Sequence, residues 1–468
     1  MGTSEDQRYV QLENVLPGRV SRPGEPRYVE AVSIWNGAIM RKPALVAHCR
    51  DAEDVRNTLV FAREHHIEVS VRGGGHNFAG NALSDAGLTI DLSPQRSVTV
   101  DPVQRRARCG GGTRWAELDA ACQQHGLAVT GGMISHTGVA GLTLGGGLGW
   151  LHTKLGLACD NLVSVQLVTA DGRILRASEH EHSELFWALR GGGGNFGVVT
   201  EFEFKLAPIG PIVQLGAFFF ELERGEQMLR LADQFTRELD DDTSVFLCGM
   251  DAPPAPFVPA EHHGRSCYAI VMVGLGAADA HARMVDKIRG ALPPLFELVT
   301  PIPYTALQTM FDASAPWGVH AYEKAVYLDT LSDAAIEVIL RHFPRKRSPL
   351  SFMPVMVLGG RYARVDEDAV AFGGKRSTRF VVNITGMSHD PAAFEAEIAW
   401  ARAFWSELVV HAENTGSYVN YIVEPDQERV RASYGAAKYT RLAAIKAEFD
   451  PENVFHLNAN IRPLQRIS

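Results

Sequence analysis

Val71–Gly80 reads V-R-G-G-G-H-N-F-A-G, and the placing of that stretch decides the fold of the chain. A strand-like run, I-E-V-S-V (Ile67–Val71), ends on an arginine and three glycines, and His76 follows at once. Three glycines free three φ angles and remove three Cβ atoms, so main-chain N–H groups can approach an anionic ligand closely. Arg72 supplies a fixed cation beside them, and His76 a single nucleophilic imidazole. A glycine-rich turn with a surface histidine is the plainer alternative. The neighbouring chain has to choose.

Before the loop, A-L-V-A-H-C (Ala44–Cys49) has the pattern of a short buried strand, and Asp51 can cap a helix running to about His65. After it, L-T-I-D-L (Leu88–Leu92) is a further strand. A ligand loop at a strand's carboxyl end is where open α/β layers bind. Ser97–Asp101 and Arg106–Cys109 alternate as strands, and a helix opens near Thr113. Residues up to about Pro43 read as irregular, with I-W-N (Ile34–Asn36) as an apolar anchor.

Two further glycine clusters follow. Gly131–Leu151 is too rich in glycine for a core helix, at roughly 1 kcal/mol for each one, but suits a loop lying flat on a large ligand. Gly192, Gly194 and Gly197 satisfy G-x-G-x-x-G. A dinucleotide-binding unit needs a strand before that motif and a helix after it. Here a helix precedes (Glu184–Leu189) and the strand V-V-T-E-F-E-F follows, so the order excludes it. Of the 44 glycines, 28 lie in residues 1–200, which puts ligand handling by the main chain in the first part.

The 468 residues exceed one hydrophobic core, so two domains are expected. A net charge of −9 gives no reason to expect nucleic acid or an anionic membrane as partner. The six cysteines are scattered without a C-x-x-C pair, so neither a disulfide framework nor a metal site is expected. His180, His182, His262 and His263 lack ligand spacing. No basic leader precedes an apolar run at Met1, and no stretch reaches membrane-spanning length, so a soluble, cytoplasmic protein is the expectation. Beyond Pro208–Pro211, strands at Gln214–Phe220, Tyr268–Val273, Ser351–Leu358 and Arg379–Thr385 alternate with amphipathic helices. That predicts one antiparallel sheet with helices on one face. S-Y-V-N-Y (Ser417–Tyr421) reads as a strand, followed by a helix to Phe449 and a polar tail.

R-G-G-G-H-N-F-A-G, S-H-T-G-V-A-G-L-T-L-G-G-G-L-G-W-L, L-F-W-A-L-R-G-G-G-G-N-F-G-V-V-T, Y-V-N-Y and D-P-E-N-V-F together resemble the berberine-bridge-enzyme-like flavoprotein oxidases of the vanillyl-alcohol-oxidase/PCMH superfamily. The likeness covers nearly the whole chain and is strongest to bacterial members with one covalent flavin link, polyketide-tailoring enzymes among them. It implies an α+β fold: a PCMH-type FAD-binding domain of two α/β subdomains, with an inserted antiparallel-sheet-plus-helices substrate domain. The implied boundaries are residues 1–207 and 412–468 for the FAD domain and 208–411 for the insert.

The resemblance further implies FAD joined through His76, with Arg72, Gly73, Gly74, Gly75 and Asn77 at the pyrophosphate and Gly80 also among the cofactor-binding residues. Ser135, His136, Gly138, Gly141, Gly145, Gly146 and Val199 would line the cofactor, and Tyr418, Asn420 and Asn458 would close over it. Two positions depart from the pattern. Ile134 stands where many relatives carry a second, cysteinyl link, so a link through His76 only is expected. Pro354 stands near the place of a carboxylate base that some relatives carry. Tyr418 is therefore the first candidate to handle a proton, followed by Tyr421, with Tyr304, Tyr322 and Glu323 behind; packing on the ring is the alternative role for Tyr418. Thr137 and Leu142 match positions around the path of dioxygen.

The expected activity is oxidation of a small aromatic or polyketide-like metabolite by hydride transfer to flavin N5, with dioxygen as acceptor. The partners are that substrate and dioxygen, with no nucleic acid, membrane or metal, in a monomer or homodimer. An oxygenating enzyme working through a flavin-N5-oxygen adduct is a second reading, and a flavin-bearing scaffold without redox turnover a third.

Overall fold

The computed structural model describes residues 4–412, 416–424 and 426–465. Its first sheet has the strands β1 (Val20–Ser21), β2 (Leu45–His48), β3 (Val69–Arg72) and β4 (Leu88–Asp91), in the order β1-β2-β4-β3. The pairs β2–β4 and β3–β4 are parallel. The crossover between β2 and β3 is the helix Ala52–Glu64, capped as expected by Asp51, whose carboxylate accepts from the Asp54 N–H. The glycine loop thus leaves the carboxyl end of a parallel strand.

The second sheet comprises β5 (Val98–Asp101), β6 (Arg106–Gly110), β8 (Leu162–Val168), β9 (Ile174–Ser178) and β10 (Val198–Lys205). Its order is β5-β6-β10-β8-β9, antiparallel throughout. A two-strand ribbon, β7 (Leu127–Ala128) with β11 (Ala207–Pro208), lies beside it. The third sheet holds β12 (Ile212–Glu221), β13 (Thr243–Asp251), β14 (Ser266–Gly274), β15 (Phe296–Pro303), β16 (His320–Leu328), β17 (Met353–Val357) and β18 (Phe380–Ser388). It runs β15-β12-β14-β13-β17-β18-β16, every pair antiparallel.

Alternation along those strands settles which side faces what. Phe218, Phe220, Leu247 and Ile270 share a core with the helices Gly225–Phe235, Ala278–Ala291, Asp333–His342 and Pro391–Leu408. Leu215, Phe219, Phe246 and Met356 point the other way, into the core shared with the second sheet. The sheet therefore presents one helix-covered face and one face turned toward the glycine-rich part of the chain.

Four sequence expectations change. The N-terminal stretch is not irregular: helices span Ser4–Val15 and Pro26–Val32. The first buries Leu12 with Leu16 just beyond its end, an apolar stripe too narrow to announce itself. The strands β13, β15 and β16 were not anticipated, and β16 carries the pair Glu323–Lys324 at its centre, which breaks the strand pattern. A short helix, Val139–Leu144, lies inside the second glycine segment. S-Y-V-N-Y is a single 3-10 turn (Val419–Tyr421) rather than a strand. The polar tail, by contrast, is packed: the buried Lys446 ammonium donates to the carbonyls of Asn195 (2.7 Å) and Phe455 (2.9 Å) and pairs with Asp450.

A buried carboxyl below the second glycine segment has a consequence for stability. Burial pushes the Asp119 carboxyl up to about 7, against one hydrogen bond received from the Gln308 amide. A folded-state value above the unfolded one means that the folded chain holds the proton more tightly. Stability should then fall as pH rises from about 4 to about 7 and level off above. Each pKa unit corresponds to about 1.4 kcal/mol. Asp119→Asn, which keeps an oxygen for Gln308, should flatten that slope in thermal unfolding read at several pH values. An unchanged slope would contradict it.

Candidate active site

One cavity of about 650 Å³ runs from the glycine clusters to the third sheet. At one end its wall is main chain: Gly73, Gly74 and Gly75 after β3, Gly138 and Gly141 of the second cluster, Gly193, Gly194 and Gly197 of the third. A Cβ on Gly74 would lie 2.3 Å from the Gly138 N, and one on Gly138 only 2.5 Å from the Gly74 N. The first two clusters thus touch backbone to backbone, which only glycine permits. The N–H groups of Gly74, Gly75, His76 and Asn77 find no acceptor among the described residues. Unpaired amides at the mouth of a groove suit the phosphate oxygens of a dinucleotide. At Gly141 and Gly194 a Cβ would meet nothing within 4 Å, which leaves room for a flat group against the main chain.

The sequence-predicted residues divide into two sets. On the cavity wall are Gly73, Gly74, Gly75, His76, Asn77, Thr137, Gly138, Gly141, Leu142, Val199, Asn420, Tyr421 and Asn458. Behind it stand Arg72, Gly80, Ser135, His136, Gly145, Gly146 and Tyr418. Arg72 is not a free cation at the loop: its buried guanidinium donates to Asp91 at 2.8 Å. Burial would raise the Asp91 carboxyl, but the bonds from His48, Arg72 and Ser93 hold it down to about 2. Arg72 therefore braces the loop from beneath. Gly80 packs on Ile39, where a Cβ would come within 2.5 Å. Ser135 donates through both its N–H (2.8 Å) and its hydroxyl (2.6 Å) to the Asp312 carboxylate.

Tyr418 is the main correction. Its hydroxyl oxygen accepts from the Gly147 N–H at 2.7 Å and from the Asn420 amide at 2.8 Å, and its ring meets Phe372 and Tyr421. Burial raises its pKa, and the phenol lies behind the wall. Gly145 and Gly146 leave the space this cluster fills, since a Cβ on Gly145 would strike Asn420 at 2.1 Å. Because the segment is a tight turn, Tyr421 and not Tyr418 reaches the cavity. Tyr304 and Tyr322 do not line it either, the latter facing Glu424 and Arg402.

At the other end the wall is apolar, with Phe246, Phe311, Phe352 and Met356. It has one polar corner. Glu323 of β16 is paired with Thr385 of β18 in register, and Ala325 with Asn383. Glu323 is 3% exposed; Thr385 donates weakly to one of its oxygens at 3.4 Å, and the other oxygen has no partner. Burial drives its pKa well above the usual carboxylate range. The Asn383 side chain bonds to the Tyr421 hydroxyl, while its own carbonyl oxygen is unpartnered. A buried acceptor without a donor costs roughly 1–3 kcal/mol unless a ligand supplies one. Asn383 and Thr385 carried no signal in the sequence, because only the sheet register brings them to Glu323.

His76 has a shell of its own. Its Nε2 lies 2.6 Å from His136 Nδ1, Trp35 stacks on its ring at 5.2 Å, and the edge of Trp317 lies at 5.3 Å. Burial, then His136 and Arg114, hold its pKa well below the usual imidazole value, so the ring is neutral near pH 7. Of the cysteines, Cys248 reaches the wall, from the sheet side, and burial raises its thiol pKa. Ile134 also lines the cavity. Among the described residues no helix is long and apolar enough to cross a membrane.

Comparison with known proteins accords with this geometry. Residues 43–178 match the FAD binding domain model, and residues 417–462 the berberine and berberine-like model. The (R)-6-hydroxynicotine oxidase of Paenarthrobacter nicotinovorans is 29% identical over 96% of this chain and 97% of its own. An FAD-linked oxidoreductase of Dictyostelium discoideum is 27% identical over 96% of each chain. The crystal structure of 6-hydroxy-D-nicotine oxidase from Arthrobacter nicotinovorans superposes with a TM-score of 0.85 at 28% identity, covering 96% of this chain and 98% of that one. Two glycine clusters pressed together, unpaired loop amides and these matches lead to one conclusion: the chain is an FAD-linked oxidoreductase that carries an FAD binding domain and a berberine-like segment.

Proposed function

We propose that this enzyme is an oxidase that carries FAD on a single histidyl bond through His76. Its substrate is a flat, largely apolar metabolite of aromatic or polyketide type, oxidised at a carbon bearing a hydroxyl or amine, with dioxygen taking the electrons. The observation that carries the reading is the cavity itself, main-chain cradle at one end and an apolar wall with one acidic corner at the other. Gly73, Gly74, Gly75, Asn77, Gly138, Gly141, Val199, Asn420 and Asn458 would hold the cofactor, with Arg72, Gly80, Ser135, Gly145, Gly146 and Tyr418 bracing them. Bound FAD supplies the acceptor for a hydride.

The chain's own contribution is to place the substrate and to take a proton. Phe246, Phe311 and Phe352 exclude water and hold a flat molecule. Glu323 accepts the hydroxyl or amine proton of the substrate, in place of the carboxylate missing at Pro354. Burial tunes it for that task, since a general base works best with a pKa near the working pH. Tyr421, held by Asn383, orients the same group. Thr137 and Leu142 border the approach of dioxygen.

Anaerobic mixing with aromatic alcohols and amines tests the oxidase reading. A substrate should bleach the flavin absorbance, and in air each turnover should release one peroxide. Oxygen from labelled dioxygen appearing in the product would favour oxygenating chemistry, and a flavin that no compound reduces would favour the scaffold. The tether has its own test. Acid precipitation should leave the yellow colour with the wild-type protein, while His76→Ala should release it to the supernatant with the fold retained. Colour in the wild-type supernatant would end the His76 assignment.

A further inference from the structure

The contact between His76 and His136 asks for an explanation beyond cofactor lining. His136 is not on the cavity wall, yet its Nδ1 lies 2.6 Å from His76 Nε2, with the ring centroids 4.6 Å apart. Two ring nitrogens at that distance share one hydrogen. The other nitrogen of His76, Nδ1, has no hydrogen-bond partner among the described residues.

The surrounding charges are not symmetrical about this pair. Arg114 opposes positive charge on both rings. Only His136 has an offsetting group, Asp312, whose carboxylate is fixed by both Ser135 donors. Both imidazoles are neutral at rest, because burial lowers both pKa values. A positive charge that arises on His76 therefore has a favourable direction in which to leave. Trp35 on one face of His76 and Trp317 at the edges of both rings keep the pair in contact.

We propose that His136 is the proton acceptor through which the protein attaches its own flavin. This role rests on the single tether proposed above. The bond formed joins His76 Nδ1 to the flavin 8α-methyl carbon, and the bond broken is one C–H of that methyl group. Two electrons remain on the flavin, the methyl proton goes to solvent, and the Nε2 hydrogen of His76 passes to His136. Dioxygen then takes the two electrons and two protons as hydrogen peroxide, which restores the oxidised flavin. The low basicity of His76 fits this task, since a neutral imidazole is the nucleophile.

Full-length wild type, His136→Ala and His136→Gln should be purified, supplied with FAD in air, and followed by flavin fluorescence of the denatured protein band. Bound but unattached flavin is read from absorbance before denaturation. Wild type should become fully labelled. Both variants should bind FAD yet attach it about a hundredfold more slowly, the usual size of a general-base effect. Added imidazole should restore attachment in His136→Ala, which a merely structural loss would not allow. Wild-type rates in both variants would overturn the proposal, and so would loss of all flavin binding in both. Wild-type protein that binds FAD but is never labelled would instead overturn the tether, and this role with it.

Discussion

Gly138→Val should yield folded protein that purifies nearly colourless. The backbone at Gly138 has φ −71° and ψ 136°, open to any residue, so conformation is not the obstacle. Space is. An added Cβ would stand 2.5 Å from the Gly74 N and 2.7 Å from its Cα, and main-chain atoms cannot rotate away as a side chain would. The loop after β3 must therefore separate from the second glycine cluster. Overpacking of this kind costs about 1–3 kcal/mol, which the fold can survive. The cradle cannot, because the unpaired amides of Gly74–Asn77 leave their positions. The ratio of flavin to protein absorbance should fall to near zero. Gly290→Ala, in a helix where the new methyl meets nothing within 4 Å, is the control and should keep full colour. Full colour in Gly138→Val would mean that the contact between the clusters does not matter for cofactor binding.

Glu323→Gln should retain its flavin but lose reduction of it by substrate, by about 10²–10⁴-fold, the range that general-base catalysis supplies. The amide is isosteric and keeps an oxygen for Thr385, so packing is preserved. With an anaerobic substrate in hand, the wild-type reduction rate should rise with pH through an inflection above the ordinary carboxylate range. The sign follows from the role: burial raises the Glu323 pKa, and the base works only after its proton has left. The variant should lack that inflection. Its stability should also respond less to rising pH, since a raised folded-state pKa costs stability as the group ionises. A variant that reduces at the wild-type rate would remove Glu323 from the mechanism.

The two residues differ in how visible they were in the sequence. Gly138 belongs to a cluster whose glycine content stands out within one stretch of chain, even though a short helix, Val139–Leu144, begins just after it. Glu323 gains its meaning from Thr385 and Asn383, some 60 residues away, through a register that no local pattern encodes. Its own strand was hidden by the very charges that make it interesting. Arg72 misled for a related reason: beside three glycines it looks like a phosphate ligand, yet β3 lies parallel to β4 and places Asp91 opposite it. Tyr418 misled because Y-V-N-Y has strand composition, and as a 3-10 turn it sends Tyr418 inward and Tyr421 to the wall.

The segment around Trp35 fastens more than itself. Asn36 donates from one amide nitrogen to the carbonyls of Phe78 (2.7 Å) and Ala321 (2.9 Å), and its oxygen accepts from the Ala321 N–H (3.0 Å). The Gly37 and Gly318 N–H groups donate to Val319 and Trp35 respectively, and the Trp35 indole donates to Ala315. Phe78 lies two residues beyond His76, and Ala321 two before Glu323. A single asparagine thus works as a gauge block between the glycine loop and the acidic strand. Hydrogen bonds to one short side chain fix the spacing between the glycine loop and the strand that carries Glu323.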